Sequence, residues 1–184
     1  IVYVDGAFDL LHAGHVRALY AARARGDFLL VGLHDDATVN ALRGQNQPIS
    51  SLHERALCVL ALGCVDEVIL GAPLEISADL IKTMNIRCVV GGCDDAPDTP
   101  SAPPHVLALA AHAGGAAAPR RLKRYAVPRE HGIYHASEEQ PSLTMGDIVT
   151  RIIENRKRYE ARNAKRERRE LQYMMHQKAY VEEL

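Results

Sequence analysis

Residues 2–16 read VYVDGAFDLLHAGHV: a short β-branched run, a glycine-bearing turn, then helical spacing that opens on two histidines. No other stretch of the chain narrows its fold as much. A strand that turns sharply through Gly6 into a helix start presents backbone N–H groups and a partial positive charge at the helix N-terminus, which suits anions and phosphates. His12 and His15 stand three apart, so on a helix start they share a face. Two imidazoles there can grip the phosphates of a nucleotide, and Gly14 between them keeps the backbone close to it. Phosphoryl transfer spreads negative charge over equatorial and leaving oxygens, and fixed donors aimed at that charge lower the barrier by several kcal/mol. No Cys or Ser nucleophile with an adjacent base is evident, and none is needed.

Beyond this segment the chain keeps a regular beat. Apolar strands IVYV, FLLVGL, Glu67–Leu70 and Arg87–Val90 alternate with helical spacing over 14–25, 35–42, 52–62 and 77–84. Ser51 followed by Glu54 is a capping-box pattern, and Gly26 follows a helical run as a stop signal. The expected fold is therefore α/β, a doubly wound parallel sheet, with ligands at the carboxyl ends of the strands.

Residues 95–121 change character, with Pro97, Pro100, Pro103 and Pro104 followed by an alanine-rich run. They read as an inserted loop with one short helix. A strand is expected near Arg121–Val127, then a polar loop over 128–141, then a long helix from about Leu143 to Met175. Ile148, Val149, Ile152 and Ile153 fall at core-facing spacing in its first turns. The chain thus divides into a nucleotide-binding domain, 1–150, and a charged helical tail, 151–184.

At 184 residues with 47% hydrophobic content the chain can bury a core of its own. Cys58, Cys64, Cys88 and Cys93 form no CxxC pair, which suggests neither zinc knuckle nor disulfide framework but reduced thiols in a cytoplasmic protein. No run reaches the roughly 18 apolar residues of a membrane span. The tail holds ten Lys/Arg against six Asp/Glu out of totals of 22 and 23, and the signs are interleaved. That pattern describes a solvated helix better than a nucleic-acid-binding surface. Because the chain opens directly on a strand, it is expected to be part of a longer polypeptide.

FDLLHAGH resembles the signature run of cytidylyltransferases, and HxGH is shared by the wider nucleotidylyltransferase superfamily and class I aminoacyl-tRNA synthetases. Four further stretches, VGLHDDATVNALRGQNQPI, LHERALCVLALGCVDEVILGAP, SLTMGDIVTRIIENR and YEARNAKRERREL, resemble in order and spacing the second half of ethanolamine-phosphate cytidylyltransferases. The resemblance covers the chain except 95–121 and about 128–141. It implies a sheet of the HxGH nucleotidylyltransferase type with a long C-terminal helix. It also implies CTP and phosphoethanolamine as substrates, CDP-ethanolamine and pyrophosphate as products, magnesium with the CTP, and a role in phosphatidylethanolamine synthesis. A second cytidylyltransferase domain, in the same longer chain or as a homodimer mate, is the implied partner.

By the same resemblance Gly6, Ala7, Phe8, His12, Gly14 and His15 would hold CTP, and Asp9 would order the turn. Arg43, before Gly44, stands where active members carry a catalytic lysine, although Arg is a planar fork rather than a point charge. On its own Arg43 also reads as an exposed loop cation. Asp94 falls where an HGxD-type strand end contacts ligand, but Gly91 replaces the histidine, and Asp94 and Asp95 equally fit the start of a loop. Before the last helix, Ser142, Leu143 and Thr144 replace the family's Arg-Thr pair in the stretch that contributes to CTP, and Ser142 or Thr144 also fits a helix N-cap.

These departures set a second reading beside the enzymatic one, a catalytically silent half that supports or regulates an active partner. An adenylyltransferase is a third, since HxGH also serves ATP, but the tail resemblance counts against it. A choline-specific cytidylyltransferase matches LHERALCVLALGCVDEV less well.

Overall fold

In the computed structural model, which describes residues 1–44, 46–91, 124–137 and 143–182, the chain divides into two units, 1–143 and 144–184. The first is organised around strand β1, Val2–Gly6, whose alternate side chains enter two different cores. Val2 and Val4 lie on one face with Leu29, Val31 and Leu33, while Tyr3 lies on the other with Leu30 and Val89. Each large apolar side chain so buried contributes about 1.5–3 kcal/mol.

Helix α1 (Ala13–Arg23) leads to β2 (Leu29–Leu33), followed by α2 (Asp36–Arg43), α3 (Leu52–Leu60) and β3 (Glu67–Leu70). Then come α4 (Ala78–Thr83), β4 (Cys88–Val90), α5 (Ala126–Glu130) and β5 (Tyr134–His135). The five strands pair in parallel in the order β3-β2-β1-β4-β5. Register sets Val4 opposite Val31 on one side and Val90 on the other. Leu19 and Ala22 of α1 and Ala56 and Val59 of α3 cover one face, and Leu80 and Ile81 of α4 pack on the other. This is the expected doubly wound α/β sheet. The chain runs outward from β1 to β3, then crosses back to β4, so the switch point lies between β1 and β4, where such sheets hold ligands.

Local sequence explains most boundaries. Ser51 and Glu54 form the expected reciprocal capping box on α3. Asp35 and Ser77 cap α2 and α4 through the backbone N–H groups of Thr38 and Leu80. Gly26 is small for a packing reason, since a Cβ there would lie 2.7 Å from Cγ2 of Val2.

Two expectations fail. The strand expected near 121–127 is not formed over its described residues: Ala126–Glu130 is helical, and the strand lies further on, at Tyr134–His135, inside the stretch read as a polar loop. Pro128 is tolerated because the first turn of a helix uses no N–H partner there. Tyr125 is buried as part of a core cluster rather than by strand alternation. In the second unit, α6 spans Met145–Glu182, and Ile152 and Ile153 are exposed at 58% and 49% although their spacing faces a core. The expected helix within 95–121 lies outside the described residues.

Candidate active site

The loop from β1 to α1 holds two of the four non-glycine residues with positive φ among the described residues. Phe8 and Leu10 both take positive φ, at 51° and 45°, a region that costs a non-glycine residue about 1 kcal/mol or more. Two devices hold it there. The Phe8 ring folds back on Gly6, where a Cβ would meet it at 2.9 Å. Asp9, 1% exposed, accepts hydrogen bonds from the backbone N–H groups of Leu10, Ile49 and Ser50 at 3.0, 2.7 and 2.9 Å. One carboxylate thus sets the turn and ties it to the segment that leads into α3.

His12 is the N-cap of α1, in extended conformation, and its Nδ1 accepts from the N–H of Gly14 at 3.1 Å. His15 returns the bond, its Nδ1 accepting from the N–H of His12 at 3.4 Å. This is a capping box in which imidazoles replace the usual hydroxyl and carboxylate. The rings stack at 3.9 Å between centroids, and Phe8 lies against His15 at 5.3 Å. With both Nδ1 atoms accepting, each ring carries its hydrogen on Nε2, the edge turned away from the helix backbone. The expectation that the two histidines share a face becomes two fixed N–H donors, 7% and 1% exposed, at a helix N-terminus. A Cβ at Gly14 would lie 3.0 Å from the His12 ring and 3.1 Å from the carbonyl oxygen of Leu143. The structure therefore gathers Gly6, Ala7, Phe8, Asp9, His12, Gly14, His15 and the backbone of Leu143.

The remaining candidates are placed differently. Arg43 closes α2, half-buried, ahead of Gly44 at φ 67°. Thr144 belongs to the second unit, where its N–H and hydroxyl bond the Asp147 carboxylate at 2.8 Å each and its Oγ1 accepts from the Asp147 N–H at 3.2 Å. That is the N-cap role which the sequence leaves open. Asp94 and Ser142 lie outside the described residues. At Gly91, a Cβ would meet the Tyr134 hydroxyl at 2.7 Å, so the tyrosine occupies space that a histidine would need.

Sequence reading missed two groups. Arg55 is 1% exposed and donates to the carbonyls of Ala7, His34 and Ser50 and to the Asp36 carboxylate. It binds together the chain that follows β1, the chain that follows β2 and the entry to α3. The available signal was its position with Leu52, Ala56 and Val59 on one helical face.

On the opposite face of the sheet Asp5, fully buried, accepts from the Tyr125 hydroxyl at 2.9 Å and from Nε and Nη2 of Arg124 at 3.3 and 3.2 Å. His34 lies beside them, with Nδ1 2.9 Å from the Ala72 carbonyl and Nε2 2.9 Å from Nη2 of Arg124. Those partners make Nδ1 the donor and Nε2 the acceptor, a neutral ring. Burial first, then the nearby guanidinium groups, hold the His34 pKa below its usual 6.5, although Asp5 and the Ala72 carbonyl act the other way. The signal here was an aspartate at an inward position of an apolar strand.

Comparison with known proteins identifies the family. The family profile described as Cytidylyltransferase-like matches residues 3–110. The chain is 44% identical to the ethanolamine-phosphate cytidylyltransferase of Dictyostelium discoideum over 174 residues, which are 95% of this chain and 43% of that protein. For the proteins of the same name from Arabidopsis thaliana and Mus musculus, identity is 44% and 37%, over 98% and 95% of this chain and 39% of each relative. A solved structure, the lipopolysaccharide core biosynthesis protein from Thermoplasma volcanium, is 31% identical. It covers 53% of this chain and 77% of its own, at a TM-score of 0.43. The chain spans about two fifths of the length of these curated relatives. With the profile, the parallel sheet and the HAGH turn in agreement, the chain belongs to the cytidylyltransferase-like family.

Proposed function

We propose that this chain is a domain of an enzyme that joins CTP and phosphoethanolamine into CDP-ethanolamine and pyrophosphate, serving phosphatidylethanolamine synthesis. The observation that carries this reading is the reciprocal His12–His15 cap. In the reaction an oxygen of the phosphomonoester attacks the α-phosphorus of CTP. A new P–O bond forms, the bond to the oxygen bridging α and β breaks, and pyrophosphate leaves with the electron pair. The attacking oxygen is already anionic, so no general base is required. What the protein must supply is fixed positive potential, and two Nε2–H donors of low exposure at a helix N-terminus supply it in a low-dielectric setting. In this reading Ala7, Phe8 and Gly14 let the nucleotide approach the backbone, and Arg43 adds charge from the end of α2.

Magnesium, in the same reading, travels on the triphosphate, as this ion commonly does, and neutralises phosphate charge when bound. Among the described residues no three His, Cys, Asp or Glu side chains gather to hold a metal alone. A second domain is also part of the proposal. The relatives are more than twice as long as the chain, and Leu57 and Leu60 on α3 and Leu70 on the edge strand β3, along which α3 packs, are exposed apolar residues that such a partner would cover. A cytoplasmic setting is supported by the free thiols of Cys58, Cys64 and Cys88, the last two pushed up in pKa by burial. Among the described residues no helix is long and apolar enough to cross a membrane.

Calorimetric titration of the chain with magnesium and CTP, with ATP as control, tests the reading. CTP binds selectively, and His12→Ala weakens that binding by about 10- to 100-fold, the worth of one charge-assisted hydrogen bond. Equal binding of ATP would sink the cytidylyl assignment. Selective CTP binding without turnover of phosphoethanolamine in the full-length protein would instead leave the domain a supporting half.

A further inference from the structure

An in-line displacement between two phosphates brings together two anions that repel, so each needs donors or positive charge of its own, on different sides of the reacting phosphorus. The His12–His15 pair sits with Phe8 on the face of the sheet that carries α1. A set of charged groups lies across β1. Asp5 immediately precedes Gly6, and its side chain is on the other face with Tyr125 and Arg124. His34, whose N–H donates to the Gly6 carbonyl at 3.1 Å, fixes this set at the carboxyl ends of β1 and β2.

The guanidinium of Arg124 is held in one plane by Asp5 and His34 through Nε and Nη2, yet 22% of its side chain remains exposed while the carboxylate beneath it has none. A planar cation with a fixed orientation and partial exposure suits a phosphomonoester better than a flexible lysine does. We propose that Arg124 binds the phosphate group of the acceptor, opposite the histidines that hold the nucleotide. The inference rests on the cytidylyltransferase reading above. It gives the acceptor side a cation, supplied from just ahead of α5 rather than from the stretch before α6.

Two separate titrations of the full chain test it. In one, CTP with magnesium is titrated alone. In the other, phosphoethanolamine is titrated into protein saturated with a CTP analogue whose α,β-bridging oxygen is replaced by methylene, with inorganic phosphate as competitor. Arg124→Gln weakens phosphoethanolamine binding by about 10- to 100-fold and abolishes competition by phosphate, while the CTP affinity stays within about twofold. Arg124→Lys, which keeps the ion pair with Asp5 and so guards against loss of fold, weakens the acceptor several-fold and leaves CTP unchanged. In turnover by the full-length protein the effect falls on KM for phosphoethanolamine rather than on KM for CTP. The proposal is overturned if the acceptor binds both variants as tightly as the parent, if CTP affinity falls in parallel, or if the parent binds no phosphomonoester. Failure of CTP to bind the parent chain would register in the first titration alone and would count against the nucleotide reading instead.

Discussion

Arg55 shows how much a single side chain can organise. Replacing it with alanine leaves the carbonyls of Ala7, His34 and Ser50 without their donor. Arg55→Ala is expected to cost about 3 kcal/mol or more, read from the urea midpoint, since each buried polar group left unsatisfied costs about 1–3 kcal/mol. A loss below about 1 kcal/mol would show that water replaces the guanidinium. Its role was not legible in LHERALCVL because its four partners come from residues 7, 34, 36 and 50, and no local pattern records them. The paired histidines were legible because both halves of their interaction lie within four residues.

His34 gives a pH prediction at the same scale. Its native pKa lies below 6.5, so above that value the ring is neutral in both states and its full contribution is present. As pH falls through 6.5 the unfolded chain takes up a proton that the native ring refuses, and stability declines until the native pKa is reached. His34→Asn, which retains a donor near the position of Nδ1, should flatten that slope in denaturation measured from pH 7.5 to 5.5. An unchanged slope would assign it to other groups. Tyr3 behaves oppositely to Arg55. Its hydroxyl is buried and, among the described residues, has no hydrogen-bond partner. Tyr3→Phe should therefore hold or raise the melting temperature, and a clear fall would reveal a partner for the hydroxyl.

Among the elements, α1 separates stability from binding. Gly14→Ala gains up to about 1 kcal/mol of helix propensity but presses on the His12 cap and the Leu143 carbonyl, which costs a similar amount, so the net change in stability should stay within about 1 kcal/mol. The added Cβ crowds the His12 ring at 3.0 Å, and CTP affinity should fall about tenfold or more as that donor shifts. Parallel thermal melts and titrations check both halves of the statement. On α3, Ser51→Ala removes one side of the capping box and should cost about 1 kcal/mol in urea denaturation. The caps and the parallel strands were readable in advance because their determinants are local: a hydroxyl three residues from a carboxylate, or a run of branched apolar residues. The exchange of strand for helix near residue 126 was not. Tyr125 is buried by a bond to Asp5, 120 residues away, and Tyr134–His135 forms a strand only because β4 offers it an edge.

At the scale of the whole molecule, the first unit builds two cores on one sheet, while α6 exposes Ile152, Ile153, Tyr159, Leu171, Tyr173, Met174 and Met175 between charged residues. Arg156–Glu160 and Arg166–Glu170 pair at i,i+4 along it, contacts worth only a few tenths of a kcal/mol each. Pairs of this size add little, since most helical stability in proteins comes from packing of an apolar face. Spacing marked Ile152 and Ile153 for a core, but a sequence pattern specifies an apolar face and not which surface meets it.

The position of β1 bears on how the site moves. It lies in the middle of the sheet, flanked by β2 and β4, and sends alternate side chains into both cores. No partial opening can release it without dismantling one of them, so its amides should be among the slowest to exchange with deuterium, near the limit set by complete unfolding. The turn bearing the two histidines springs directly from that strand. A nucleotide arriving there would meet a backbone that is already quiet, and little of its binding energy would be spent on bringing the loop to rest.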